Sequence, residues 1–87
     1  MVRVYYSDRF TRSAKRLNEK QQAQLARLVV LLKENPFSPS LHTKSLSGRL
    51  AGIYSFRVTR EYRALFRFVS PGEVLLIDVG DRKDIYR

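Results

Sequence analysis

The 87-residue chain contains no cysteine, which excludes disulfides and thiolate metal sites as sources of stability. His42 is its only histidine, so neither a resident transition metal nor another cofactor is expected. The N-terminal stretch MVRVYYSD has no apolar run long enough for a signal peptide, and no segment is long enough for a membrane span. The expectation is a cytoplasmic protein with no membrane attachment. Internal repeats and low-complexity tracts are also missing. This length predicts one domain, residues 1–87. By size scaling such a domain buries only about 60–65% of its surface, so helix–sheet packing or a partner chain must supply its stability.

Acidic residues are scarce too. Eight Asp and Glu stand against 17 Lys and Arg, a formal net charge of +9. Twelve of the basic residues are Arg and five are Lys. Arginine offers a planar fork that fits a phosphate bidentately, which a bias for solubility alone does not require. Charge by itself leaves nucleic acid, an acidic protein partner and an anionic membrane open.

What is present is clear periodicity. Val2, Val4 and Tyr6 alternate with Arg3 and Tyr5, predicting a short strand over residues 2–6. Ser7 or Asp8 suits a helix N-cap, with Phe10, Ala14 and Leu17 following at helical spacing, and Asn18 breaks that helix. A second helix runs from about Glu19 through QQAQLARLVVLLKE, carrying Leu25, Leu28, Val29 and Leu32 on one stripe, and ends at Asn35–Pro36. Residues 36–52, rich in Pro, Ser and Gly, read as loop. From residue 53 a period of two predicts strands near 53–58, 62–69 and 73–79. The expected fold is α+β: a strand, an αα-hairpin, then a three-stranded antiparallel meander, in one mainly antiparallel sheet with the helices on one face.

Hairpin parity assigns the faces, because a one-residue slip reverses every side chain. With Thr59–Arg60–Glu61 as a three-residue loop, Val58 pairs with Tyr62, Arg57 with Arg63 and Phe56 with Ala64. One face then collects Tyr54, Phe56, Val58, Tyr62, Ala64, Phe66 and Phe68, all apolar or aromatic. Pairing Ser70 with Glu73 across Pro71–Gly72 places Phe68 against Leu75, Phe66 against Ile77 and Ala64 against Val79. The opposite face carries Arg57, Arg63, Leu65, Arg67, Leu76 and Asp78, with Gly80 opposite Arg63. Arg82, two residues beyond Gly80, joins Arg57 and Arg63 near one end of this open face. Like charges side by side repel, and Asp78 is expected to supply a counter-charge to Arg67.

The segments LSGRLAGIYSFRV, YRALFRF and LLIDVGDRKDIYR, in that order and spacing, resemble the RelE/ParE superfamily of toxins from toxin–antitoxin pairs. The likeness covers roughly the C-terminal half, while the N-terminal half agrees in pattern. RelE-like members cleave mRNA on the ribosome and ParE-like members poison DNA gyrase. The ending GDRKDIYR looks closer to the RelE side. The resemblance implies that Arg57, Arg63, Arg82 and Tyr86 are active-site residues, and that the partners are a cognate antitoxin, the ribosome and mRNA. Asp81 stands where several relatives carry a histidine, which leaves the proton-transfer residue open among Asp81, Lys83 and His42 as well as Tyr86. Lys44, Arg49, Arg67 and Arg87 are the further expected RNA contacts.

The implied chemistry is attack of a ribose 2′-hydroxyl on the adjacent phosphorus without a metal. Arginines aimed at the phosphorane's developing charge would supply the main stabilisation. Tyrosine can also orient a substrate by stacking on a base. Two other readings stay open: a ParE-like gyrase inhibitor, and a catalytically weak homologue that acts with its antitoxin as a co-regulator.

Overall fold

The computed structural model describes residues 1–86; Arg87, one of the expected RNA contacts, lies outside the described residues. The first alternating stretch forms β1 (Arg3–Tyr6). Ser7 ends it and caps α1 (Asp8–Lys15), its hydroxyl accepting from the Phe10 amide at 3.0 Å. Asn18 is less a breaker of the first helix than the cap of the second. It forms a reciprocal capping box with Gln21 at the start of α2 (Glu19–Glu34), satisfying two amides that a helix start leaves open.

Three long-range elements follow the loop: β3 (Tyr54–Arg57), β4 (Tyr62–Ser70) and β5 (Glu73–Asp81). The loop itself is more ordered than its composition predicted. Two 3-10 turns, Pro39–Leu41 and Gly48–Leu50, flank a two-residue strand β2 (Lys44–Ser45). Leu41 is fully buried and the Thr43 hydroxyl donates to the Pro36 carbonyl at 2.6 Å, so one apolar anchor and one local bond hold the segment. Residues of these types lack a period, and their order comes from tertiary contact.

The five strands lie in the order β1-β5-β4-β3-β2. β1 runs parallel to β5, and the other pairings are antiparallel. Both helices cover one face. Phe10 and Leu17 join the α2 stripe Leu25, Leu28, Val29 and Leu32 above Phe56, Val58, Ala64, Phe66, Val74, Leu76 and Val79. Tyr54, Phe66 and Phe68 make edge-to-face and offset contacts at 5.4–5.9 Å within this layer, arrangements that aromatic quadrupoles favour.

Parity was right for the β3–β4 hairpin, where Phe56 faces Ala64 and Arg57 faces Arg63. In the β4–β5 hairpin it was right at both ends and wrong in the middle. Ser70 pairs with Glu73 and Ala64 with Val79, but Phe68 faces Val74 and Phe66 faces Leu76. Val69 on β4 and Ile77 on β5 are each an extra residue, so two bulges shift the register by one and then restore it. The core residues of β5 are therefore Val74 and Leu76, not Leu75 and Ile77. The run Val74–Ile77 is apolar throughout, so alternation could not choose between the registers. The Ile77 bulge is fixed from outside: its carbonyl accepts the Ser7 hydroxyl at 2.8 Å, and the Ser7 amide reaches the Leu76 carbonyl.

Two further placements change with the bulge. Leu76 leaves the open face for the core, and Asp78 does not pair with Arg67. Asp78 is buried, with Arg9 Nε 3.0 Å from one carboxylate oxygen and the Ser13 hydroxyl donating to the other at 2.6 Å. It thereby ties α1 to β5. A buried carboxylate needs such partners, and those available came from a helix far away in sequence. Near the other end of the sheet, Tyr5 and Ser70 donate to the two oxygens of Glu73 at 2.7 and 2.9 Å. The Tyr5 hydroxyl foremost, then that of Ser70, holds the Glu73 carboxyl below its usual range.

The register is testable by unfolding in urea. Leu76→Ala and Phe66→Ala should each cost about 2–5 kcal/mol, as deletions from a closed core do. Leu75→Ala should cost clearly less, and Arg67→Ala within about 0.5 kcal/mol of nothing. Equal losses at Leu75 and Leu76 would restore the unbulged pairing.

Candidate active site

Arg57 and Arg63 sit directly opposite each other on β3 and β4, and Gly80 of β5 lies on the far side of Arg63. Two guanidinium groups on one face of adjacent strands repel, and the neighbouring turn limits the conflict. Nη1 of Arg63 donates to the carbonyls of Thr59, Arg60 and Tyr62 at 2.8, 2.9 and 3.2 Å. Carbonyl dipoles thus take up part of that charge and draw the side chain toward the β3–β4 turn.

The same turn also holds Arg82. The Arg82 amide donates to the Glu61 carbonyl at 2.7 Å, and its Nε stands 3.6 Å from a Glu61 carboxylate oxygen. Both side chains are half exposed, so this ion pair orients more than it stabilises.

Beyond β5 the chain closes a short turn. Asp81 organises it: its carboxylate accepts the Lys83 amide at 2.8 Å, and its carbonyl accepts the amides of Asp84 and Ile85. The turn brings Tyr86 back over the sheet, where its phenol lies 3.4 Å from the Ser55 hydroxyl of β3.

These elements enclose a cleft of about 360 Å³. Arg57, Arg63 and Arg82 line it, with Lys83 and Tyr86 from the C-terminal turn and Ser55 from β3. His42 and Lys44 complete it from the ordered loop. Lys44 gets there because β2 pairs it with Ser55. His42 gets there by ending the first 3-10 turn in the left-handed region, φ 50° and ψ 46°, a conformation that side chains other than Gly and Asn adopt at some cost.

Seven of the predicted site residues therefore share one cleft: Arg57, Arg63, Arg82, Tyr86, Lys83, His42 and Lys44. Asp81 does not line it, since its carboxylate is spent on the turn. Arg49 lies in the second 3-10 turn and Arg67 four residues along β4 from Arg63, roughly 13 Å away at strand rise, and neither lines the cleft.

Two residues escaped the sequence reading. Ser55 follows the parity of Arg57 and could have been found as the one small polar side chain in the strand YSFR. Glu61 read only as turn, and nothing in its neighbours signals the contact with Arg82.

Among the described residues, the cleft is lined by five Lys and Arg side chains, one imidazole and no carboxylate. The side chains of Arg57, Lys44, Lys83 and His42 have no hydrogen-bond or ion-pair partner among the described residues. Such a lining suits a phosphodiester, with forks for non-bridging oxygens and an imidazole for proton transfer. Among the described residues, no group of three or more His, Cys, Asp or Glu side chains could hold a metal ion.

No model of a known protein family and no curated protein matches the sequence. Solved structures do match. The chain resembles a YoeB/ParE toxin from Agrobacterium tumefaciens with a TM-score of 0.81 at 20% identity, covering 93% of this chain and 99% of that one. YafQ from E. coli strain BL21(DE3) gives 0.81 at 15% identity over 100% of both chains. The RelBE2 toxin–antitoxin complex from Mycobacterium tuberculosis gives 0.79 at 24% identity, over 93% and 98%. The chain thus has the α+β fold of RelE-like toxins, as the C-terminal motifs implied.

The anchoring of Arg63 gives a second prediction. Arg63→Ala should loosen the β3–β4 turn and cost about 1–2 kcal/mol in thermal unfolding, whereas Lys83→Ala, with no bond to lose, should stay within about 0.5 kcal/mol. Identical stabilities would mean that the turn does not need the guanidinium.

Proposed function

We propose that this protein is the toxin of a toxin–antitoxin pair and that it cleaves mRNA on the ribosome, as one functional domain in the cytoplasm. The observation that carries the reading is the convergence of Arg57, Arg63, Arg82 and Tyr86 with His42, Lys44 and Lys83 in one cleft that no carboxylate lines among the described residues. The fold it shares with RelE-like toxins supports the same reading.

In the proposed step, Arg57, Arg63 and Arg82 bind the scissile phosphate and stabilise the charge of the phosphorane. The 2′-oxygen forms a bond to phosphorus as the bond to the 5′-oxygen breaks, leaving a 2′,3′-cyclic phosphate and a free 5′-hydroxyl. The imidazole of His42 is the one basic nitrogen group in the lining that is neither guanidinium nor ammonium, and it takes the 2′-proton. An ammonium from Lys44 or Lys83 returns a proton to the leaving oxygen. Tyr86 orients the attacking ribose. Lys44, with Arg67 and Arg49 outside the cleft and Arg87, adds salt-dependent affinity for the RNA backbone.

An antitoxin is the second expected partner, as in the M. tuberculosis complex of the same fold. A groove between the helices and β1 is lined by Phe10, Leu25 and Val29, with Tyr6 and Val30 about half exposed and Lys15 and Lys33 among its lining. It would suit an amphipathic acidic segment.

Brief induction followed by primer extension on cellular mRNA tests the reading. New 5′ ends should appear within translated regions and vanish in Arg63→Ala and Arg82→Ala. Gyrase trapped on DNA, with mRNA intact, would instead establish a gyrase inhibitor. His42→Gln should slow single-turnover cleavage about a hundredfold. An unchanged cleavage rate in His42→Gln would remove His42 from the mechanism.

A further inference from the structure

Ser55 is an unusual residue for its position. It is 2% exposed, in a strand whose neighbours are aromatic. A β-branched apolar side chain would suit a buried strand position better, and a buried hydroxyl costs about 1–3 kcal/mol unless it is bonded. The other buried polar side chain, Asp78, has three hydrogen-bonded or ionic contacts. The Ser55 side chain has one among the described residues, the phenol of Tyr86.

The two ends of that contact differ in rigidity. Ser55 is fixed by the ladder on both sides, opposite Lys44 on β2 and Leu65 on β4. Tyr86 belongs to a terminal turn, held up to that point by the bonds of Asp81 and by Ile85, whose Cδ1 lies against Gly80. The phenol–hydroxyl contact joins the turn to the floor of the cleft.

We propose that Ser55 is a positioning residue, which anchors the Tyr86 phenol in the cleft so that it can orient the attacking ribose. The Tyr86 O–H donates to Ser55 Oγ at 3.4 Å. The phenol oxygen then keeps its lone pairs to accept a hydrogen bond from a donor of the substrate nucleotide other than the 2′-hydroxyl, whose one proton goes to His42. The inference rests on the cleavage reading above for its consequence, though not for the anchor itself.

The anchor is read first without activity. With tyrosine rings isotopically labelled in the full chain, NMR relaxation in Ser55→Ala should show increased motion of Tyr86, while the other four tyrosines are unchanged. Ser55→Thr keeps the hydroxyl on a strand-compatible side chain and should restore the wild-type signature. Unchanged Tyr86 motion in a folded Ser55→Ala protein overturns the anchor.

The consequence is read by single-turnover cleavage of ribosome-bound mRNA. Ser55→Ala should lower the rate about tenfold, the equivalent of one lost hydrogen bond, with the half-saturating ribosome concentration unchanged. Ser55→Thr should recover most of it. In a Tyr86→Phe background, Ser55→Ala should have no further effect, because both changes remove the same contact. Multiplicative losses in the double variant, or a Ser55→Thr protein as slow as Ser55→Ala, would show that Ser55 does not act through Tyr86. A wild-type protein that makes no cuts refutes the cleavage reading and leaves the NMR result to decide the anchor.

Discussion

The pairing of β4 with β5 is the constraint on which the rest of the structure depends. Each is a nine-residue strand, and together they form the middle of the sheet, with β1 added on one side and β3 and β2 on the other. One face of the pair supplies Ala64, Phe66, Val74, Leu76 and Val79 to the core. The other places Arg63 beside Gly80 and leads directly into Arg82. A slip of one residue would bury arginine and expose phenylalanine, so the core's packing energy also sets the geometry of the cleft. The two bulges answer a local demand without breaking this rule. They turn Val74 and Leu76 inward and are undone before the arginines are reached.

Holding five cations in one cleft works against folding, and the chain offsets this with dipoles more than with counter-ions. Three turn carbonyls serve Arg63, and the half-exposed Glu61 carboxylate lies beside Arg82. Carbonyls attract a guanidinium without competing strongly for phosphate, as a carboxylate in the lining would. The site therefore stays electropositive and keeps free donors on Arg57, Lys44 and Lys83. Repulsion retained in the folded state is relieved by any anion that enters the cleft, so a nucleic acid backbone and an acidic partner would both stabilise the protein by mass action.

Much of this was legible in the sequence because it obeys local rules. The αα-hairpin follows from the stripe Leu25, Leu28, Val29 and Leu32 and its capping residues. The opposition of Arg57 and Arg63 follows from one odd-length turn, since only that parity keeps both faces consistent. What was not legible depends on contacts between distant segments. The Ile77 bulge is held by Ser7, and Asp78 finds its partners on α1. Within the uniformly apolar run Val74–Ile77, no alternation marks where the register shifts. The entry of His42 into the cleft depends on the buried anchor Leu41 and the paired strand β2, neither of which has a periodic signature.

His42 shows how the two kinds of information combine. By composition it is a lone loop histidine, a residue type that is usually incidental. By geometry it occupies a left-handed position that Gly or Asn would fill with less strain, yet its neighbour Leu41 is fully buried and its successor but one is paired into the sheet. The backbone around it is thus fixed on both sides, and the strain is borne by a framework that has other reasons to exist. A backbone fixed at His42, in a cleft otherwise furnished with cations, brings there the imidazole that the proposed cleavage uses as its proton acceptor. In the proposed cleavage the arginines bind and stabilise the charge of the phosphorane, and without a proton acceptor beside them the same cleft would bind a phosphodiester and leave it intact.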